Sequence, residues 1–327
     1  MNFLRRTLVS SAALALFATG LVLVAGPASA AHVTCGQVIA VSTTLDSNVG
    51  PCPTGLVIGA NNVTLDLNGF TLSGTPATGE GPGVDITGRT GVTVRNGTIT
   101  QFDAGVAITG GSGNTVTGLT LVDNRGSFAT DFGDGVAVFN STGNTISHNR
   151  IRNNGPYSGI SLIRSSNNLI EHNQITGNNQ STTSTSGIRV ENVGFSASNA
   201  NTIRYNLVQG SALDGIQLFA GASDNVVSHN SVLQNNREGI TAFAGASRNV
   251  IEDNQVRYNG FGPIAGNGIF IRGAAGSFPA PANNVIRRNV ATNNRLFDLR
   301  DGTPDCGTNV WSANQAITGT PPCVFGP

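Results

Sequence analysis

Apolar and polar residues alternate along this chain in short runs, and one phrase recurs: Asn, any residue, Val or Ile, two more, Asn, any, apolar. It reads NTISHNRI from Asn144, NLIEHNQI from Asn168, NTIRYNLV from Asn201, NVVSHNSV from Asn225, NVIEDNQV from Asn249 and NVIRRNVA from Asn284, with NTVTGLTL from Asn114 a degenerate copy. A second phrase alternates with it: GVDI at Gly83, GVAI at Gly105, GVAV at Gly135, GISL at Gly159, GIRV at Gly187, GIQL at Gly215, GITA at Gly239 and GIFI at Gly268. Successive glycines lie 22, 30, 24, 28, 28, 24 and 29 residues apart. Period-two alternation inside each phrase predicts strands rather than helices.

A period of about 25 residues made of two or three short strands is one turn of a solenoid. A single coil has too little apolar surface to fold alone, whereas stacked coils align Val, Ile and Leu in interior columns. Coils then repeat every ~4.8 Å. In such a stack the same side chain stands above itself in every coil. Asn149, Asn173, Asn206, Asn230, Asn254 and Asn289 are expected to form a ladder at an inward corner, each amide donating to one neighbour and accepting from the other. Asn also tolerates the left-handed conformation that tight corners require.

Composition narrows the setting. Arg5 and Arg6 precede an apolar run from Leu8 to Ala25 and then Pro27-Ala28-Ser29-Ala30, the layout of an export signal over residues 1–30. No later stretch approaches the ~20 apolar residues that span a bilayer, so no membrane span is expected. Of 18 basic residues two fall in the signal, leaving 16 against 18 acidic ones. That balance gives no cationic field to gather nucleic acid. All basic residues are arginine, which excludes Schiff-base chemistry on lysine. Charged residues are only 11%, beside 43 glycines and 37 asparagines, a composition that points to an ordered chain. Cys35 and Cys52, and likewise Cys306 and Cys323, are each 17 apart. Four cysteines allow three connectivities; the positions favour two local bridges, each stabilising by roughly 3 kcal/mol in the chain-entropy model.

The Asn-x-Ile-x-x-Asn-x-Ile and Gly-Ile-x-Leu phrases, from about Ile58 to Leu299, resemble the right-handed parallel β-helix repeat family. Pectate lyases, polygalacturonases, mannuronan epimerases, phage tailspikes and a periplasmic accessory protein of nitrous oxide reductase maturation share that fold. The segments 31–57 and 300–327 resemble the caps of exported bacterial members. The resemblance implies an all-β, right-handed parallel β-helix of nine or ten coils over residues 58–299, closed by a disulfide-bonded cap at each end. It does not fix an activity.

The candidate chemistry lies at fixed offsets from the glycines. Residues one and three after each Gly point inward and those at two and four outward. Four after the Gly stand Phe139, Ile163, Glu191, Phe219, Phe243 and Arg272. An outward strip of phenylalanines reads as a sugar-stacking surface or as packing beneath a loop. Asp134, Asp214 and Glu238 each precede a Gly, and the last two occupy consecutive coils. Carboxylates ~5 Å apart divide acid and base roles and suit a retaining glycosidase; ordinary corner polarity is the plainer explanation. Arg189 and Arg272 lie on the same face. Inserts beginning at Val122, Thr176 and Arg257 all fall between an Asn phrase and the next Gly phrase, so they are expected to flank this face.

His148, His172 and His229 precede the second Asn of their phrases, in a column completed by Tyr205, Asp253 and Arg288. No carboxylate accompanies them to complete three metal ligands, and a solvated face is expected. Departures from the enzyme families are clear: the polygalacturonase Gly-His-Gly and the epimerase Tyr-Gly-Phe-Asp-Pro-His motifs are absent, and Asp131 with Asp134 resembles the polygalacturonase acidic segment only loosely. The leading expectation is an extracytoplasmic β-helix, secreted or at the cell surface, that engages polysaccharide along the Gly-phrase face. Asp214 and Glu238 are its candidate hydrolase or lyase pair, and Phe139, Phe219, Phe243, Asp134, Arg189 and Arg272 contact its substrate. The alternative is a non-catalytic cell-surface or structural solenoid. A metal-maturation role is disfavoured by the single methionine and the histidine pattern, and neither a metal set nor a cofactor is indicated.

Overall fold

A computed structural model of the chain describes residues 30–76, 81–127, 133–178, 186–192 and 198–326. The expected export signal lies outside these residues. The chain winds into a right-handed parallel β-helix. The Gly phrases stack into one twelve-stranded parallel sheet, and the Asn phrases into a 21-stranded sheet that bends at a corner into two faces. Twelve strands exceed the nine or ten coils expected, because the terminal segments carry rungs without the phrases: Val38–Ile39 pairs with Leu56–Ile58, and Gly319–Thr320 with Leu299–Asp301.

Register is strict. Val116, Ile146, Ile170, Ile203, Val227, Ile251, Ile286 and Trp311 pair in sequence along one column, and all are buried. A second column runs Ile160, Ile188, Ile216, Ile240, Ile269 and Leu299. Each such side chain contributes roughly 1.5–3 kcal/mol on burial, but only once a neighbouring coil covers it. The glycine that opens each phrase has a steric cause. A Cβ on Gly215 would stand 2.5 Å from Val232 Cγ1 and 2.6 Å from the Gly239 carbonyl oxygen, so any side chain there would push coils apart.

The expected asparagine ladder is present and one rung longer. From Asn149 to Asn314 each side-chain Nδ2 donates to the Oδ1 of the next coil at 3.0 Å. Two further ladders were not expected. One runs from Asn114 through Asn144, Asn168, Asn201, Asn225, Asn249 and Asn284 to Asn309 at 2.9–3.1 Å. The other links Asn124, Asn154 and Asn178, breaks at Ser211, and resumes through Asn235, Asn259 and Asn294. Each ladder oxygen also accepts a backbone N–H from the preceding coil, as Asn173 Oδ1 does from Asn149, so the amides satisfy corner backbone that no strand reaches.

The ends are closed as expected, Cys35 to Cys52 with Cα atoms 5.2 Å apart and Cys306 to Cys323 at 6.2 Å.

Candidate functional site

The residue before each Gly begins the strand and turns its side chain toward the next coil. Ser158 N–H donates to Asp134 Oδ1, Ser186 N–H to Ser158 Oγ, Glu238 N–H to Asp214 Oδ1 and Asn267 N–H to Glu238 Oε2. Asp214 and Glu238 are thus neighbours, as their offset predicts. A catalytic pair on this face would have to be open to substrate, and these two are buried. Asp214 is fully buried, clamped by Arg237 through two hydrogen bonds of 2.6 and 2.7 Å and contacted by Gln217 Nε2 at 2.9 Å. Glu238 is held by Arg272 at 3.0 Å and by the Asn267 amide. The physical reason is charge: two carboxylates buried ~5 Å apart are tolerated only with paired cations. Burial, then the charge of Asp214, raise the Glu238 pKa, against the pull of Asn267 and Arg272. Asp134 is likewise buried and accepts hydrogen bonds from Ser158 N–H and Ser161 Oγ, so it is not an exposed substrate ligand. Asp131 lies outside the described residues.

The outward row is more open. Phe139, Phe219, Phe243 and Arg272 are half-buried. Phe219 and Phe243 stack with ring centroids 5.4 Å apart. The Arg189 guanidinium lies 4.8 Å over Phe219, and Arg272 lies 5.1 Å over Phe243. Arg189 also donates to Glu191 at 2.8 Å. Sequence reasoning missed the row's continuation. The guanidinium groups of Arg272 and Arg300 lie 5.4 and 4.7 Å over the Phe270 ring. Phe270 stands two after a Gly and was legible from its offset, whereas Arg300 follows Asp298, which replaces the glycine. Phe278, from the loop after this strand, approaches Phe219 at 6.2 Å. Beside the row, Gln217 Oε1 and Asn267 Oδ1 are buried without a hydrogen-bond partner in the described protein.

The inserts meet only part of their expectation, since residues 128–132 and 179–185 lie outside the described set. The one beginning at Arg257 is described, and it covers Arg237 rather than the phenylalanines: a Cβ on Gly266 would stand 2.3 Å from the Arg237 carbonyl carbon.

At the opposite corner, His148, His172, Tyr205 and His229 are exposed and take positive φ between 55° and 57°. His148, His172 and Tyr205 stack at 5.0 and 5.2 Å, and His229 meets Tyr205 at 4.9 Å with its ring tilted by 37°. Asp253 continues the column with its pKa lowered by the hydrogen bonds from Arg288.

Among solved structures, the chain is similar to a mutant of the periplasmic alginate epimerase AlgG, at 17% identity and TM-score 0.57, covering 80% of this chain and 60% of that one. It therefore spans less than two thirds of that epimerase. It is similar to the A-module of Azotobacter vinelandii mannuronan C-5 epimerase AlgE4, at 15% identity and TM-score 0.52, covering 86% and 85%. The Dettilon tailspike protein matches at 18% identity and TM-score 0.55, covering 78% and 58%. These likenesses establish the fold alone. No curated protein sequence matches the chain. The model of the family described as periplasmic copper-binding protein (NosD) matches residues 61–321, and the chain belongs to that family.

Proposed function

We propose that this protein is an extracytoplasmic solenoid that binds polysaccharide along the outer face of the twelve-stranded sheet, without catalysis by Asp214 and Glu238. The observation that carries this reading is the row of Phe219, Phe243 and Phe270 interleaved with Arg189, Arg272 and Arg300. Sugar rings present C–H faces that stack on aromatic rings, and their hydroxyls complement guanidinium groups. Arginines held over aromatic rings are oriented in advance. The buried, arginine-clamped carboxylates have no comparable access to a substrate. The two disulfides suit an oxidising, extracytoplasmic compartment,, as does the periplasmic description of the family.

Copper enters through the family's description, and the residues of this chain do not fit it. All four cysteines are in disulfides, and the single methionine is Met1. His148 and His172 stack with planes 5° apart and centroids 5.0 Å apart. Nitrogen lone pairs lie in the ring planes, so they run parallel instead of converging. Two imidazoles on one ion must each aim a ring nitrogen at it, at metal–nitrogen distances of about 2.1 Å. Among the described residues no group of three His, Cys, Asp or Glu is placed to hold an ion.

The second reading is a non-catalytic solenoid with no glycan partner, favoured by the approach of Phe278 to Phe219. Calorimetric titration with soluble neutral and uronic polysaccharides separates the two, with reducing ends and unsaturated products followed in parallel. Binding is expected, with Phe219→Ala and Phe243→Ala each weakening it by about 1 kcal/mol. No binding to any polysaccharide favours the second reading. Turnover that disappears in Asp214→Asn with melting unchanged restores the catalytic pair.

A further inference from the structure

The insert after Arg257 builds a second concave surface, away from the sheet face. Gly262 and Gly266 let its backbone seat directly on Asn236 and Arg237: a Cβ on Gly262 would stand 2.5 Å from Asn236 Cβ, and one on Gly266 2.3 Å from the Arg237 carbonyl carbon. Gly260 N–H donates to the Asn235 carbonyl and Gly262 N–H to the Asn236 carbonyl, each at 2.9 Å. The loop is therefore fixed, yet it leaves Tyr258 50% and Phe261 62% exposed. These two rings and the residues Gln234, Asn235 and Asn236 enclose an open cleft of about 390 Å³. Small-molecule sites typically occupy ~300–1,000 Å³ with apolar walls and a few polar groups.

The three amides differ in what they have left to offer. Asn235 is consumed by its ladder, bonding Ser211, Val208 and Asn259. Gln234 uses its Oε1 to accept from Gln209 at 2.6 Å, leaving its own N–H groups available. The Asn236 side chain makes no hydrogen bond within the described protein. None of the five lining residues carries a charge. Exposed aromatic rings suit the C–H face of a sugar, and free amide donors and acceptors suit its hydroxyls. None of the lining residues would itself supply a countercharge to an ionic substituent; the Arg295 guanidinium, which donates to the Gly262 carbonyl at 2.9 Å, is not among them. From this chemistry we infer that the cleft between Tyr258 and Phe261 is a binding site for a neutral saccharide, separate from the sheet face.

Saturation-transfer NMR on the full chain tests this, with cellohexaose, maltohexaose and mannohexaose as neutral probes and a mannuronate hexamer as the charged one. At least one neutral hexaose is expected to bind, and Phe261→Ala and Asn236→Ala each to weaken it about fivefold. A hexaose held on the sheet face instead loses affinity in Phe219→Ala and keeps it in Phe261→Ala, so failure of the sheet-face reading and failure of this one give different results. Phe261 is solvent-exposed, so its removal is expected to leave melting unaltered; Tyr258→Ala supplies the second wall if it does not. The inference is overturned if no neutral hexaose binds or if binding ignores Phe261→Ala and Tyr258→Ala. Sedimentation showing a dimer that Phe261→Ala disperses also overturns it, by making the cleft a self-interface.

Discussion

Two columns of this solenoid do the same mechanical job with opposite chemistry. In the corner column from Asn149 to Asn314, each side chain accepts a backbone N–H from the coil before and donates its own amide to the coil after. In the column that begins the Gly-phrase strands, Asp134, Asp214 and Glu238 also accept backbone N–H groups from an adjacent coil. A carboxylate, however, has nothing to donate and carries charge. The amide column is self-sufficient, whereas the acid column needs Arg237 and Arg272. In a repeat protein, matching offsets in consecutive coils first signal a shared structural position. Two acids at one offset therefore make a weak argument for catalysis until their exposure is known.

The largest break in this comparison comes from the acid column. Arg237→Gln leaves Asp214 buried without its cation, and the protein is expected to lose about 3–5 kcal/mol in chemical denaturation. Adding Asp214→Asn should recover most of it, because the column then resembles its amide counterpart. No recovery in the double variant would show that Arg237 acts through packing on the Gly266 loop instead. In the amide column Asn173→Leu removes the links to both Asn149 and Asn206 and should cost about 1–3 kcal/mol.

Glu238 offers a pH test. Its folded-state pKa is raised above the ordinary 4.5, so between that value and the raised one the folded state binds more protons than the unfolded. Stability contributed by the protonated group is present below pH 4.5 and is lost as pH rises through the folded-state pKa. Melting curves across that window should decline with pH in the native sequence and decline less in Glu238→Gln. Identical slopes would place the titration elsewhere. The smallest effect belongs to His172→Ala, about 0.5 kcal/mol or less for an exposed ring; a shift as large as that of Asn173→Leu would mean that the imidazole stack bears on the corner.

Repetition made most of the architecture legible. Phrases at a regular period fixed the columns, the inward rows and one ladder, and the paired cysteines marked the closed ends. Of the other two ladders, one was open to view, because its asparagines begin each phrase; the second breaks at Ser211, and its asparagines lie outside the fixed phrase. The terminal rungs were missed because Val38–Ile39 and Gly319–Thr320 carry neither phrase. At the site, the outward row was readable from offsets. Its cover by Phe278 was not, because that residue arrives from a loop whose path no period dictates. Arg237 stands beside Glu238 in sequence, yet its side chain reaches back to the preceding coil, and spacing alone gives no direction to a long side chain.

The asparagine ladders run one way. Each Nδ2 donates toward the C-terminal neighbour and each Oδ1 receives from the N-terminal one, so the amide dipoles point along the axis and add. The C-terminal end of each ladder is accordingly its positive pole. Asn294 Nδ2 ends on Asp298 Oδ1 at 3.0 Å, and Asn309 Nδ2 on Asp301 Oδ2 at 3.2 Å. Anions settle against the positive end of aligned peptide dipoles in a helix, and here two carboxylates hold the corresponding place in a molecule made of strands. The solenoid is an oriented rod whose ends are not interchangeable: two of its ladders finish on carboxylates at the C-terminal end, whereas the ladder that starts at Asn114 begins by accepting the Val92 N–H.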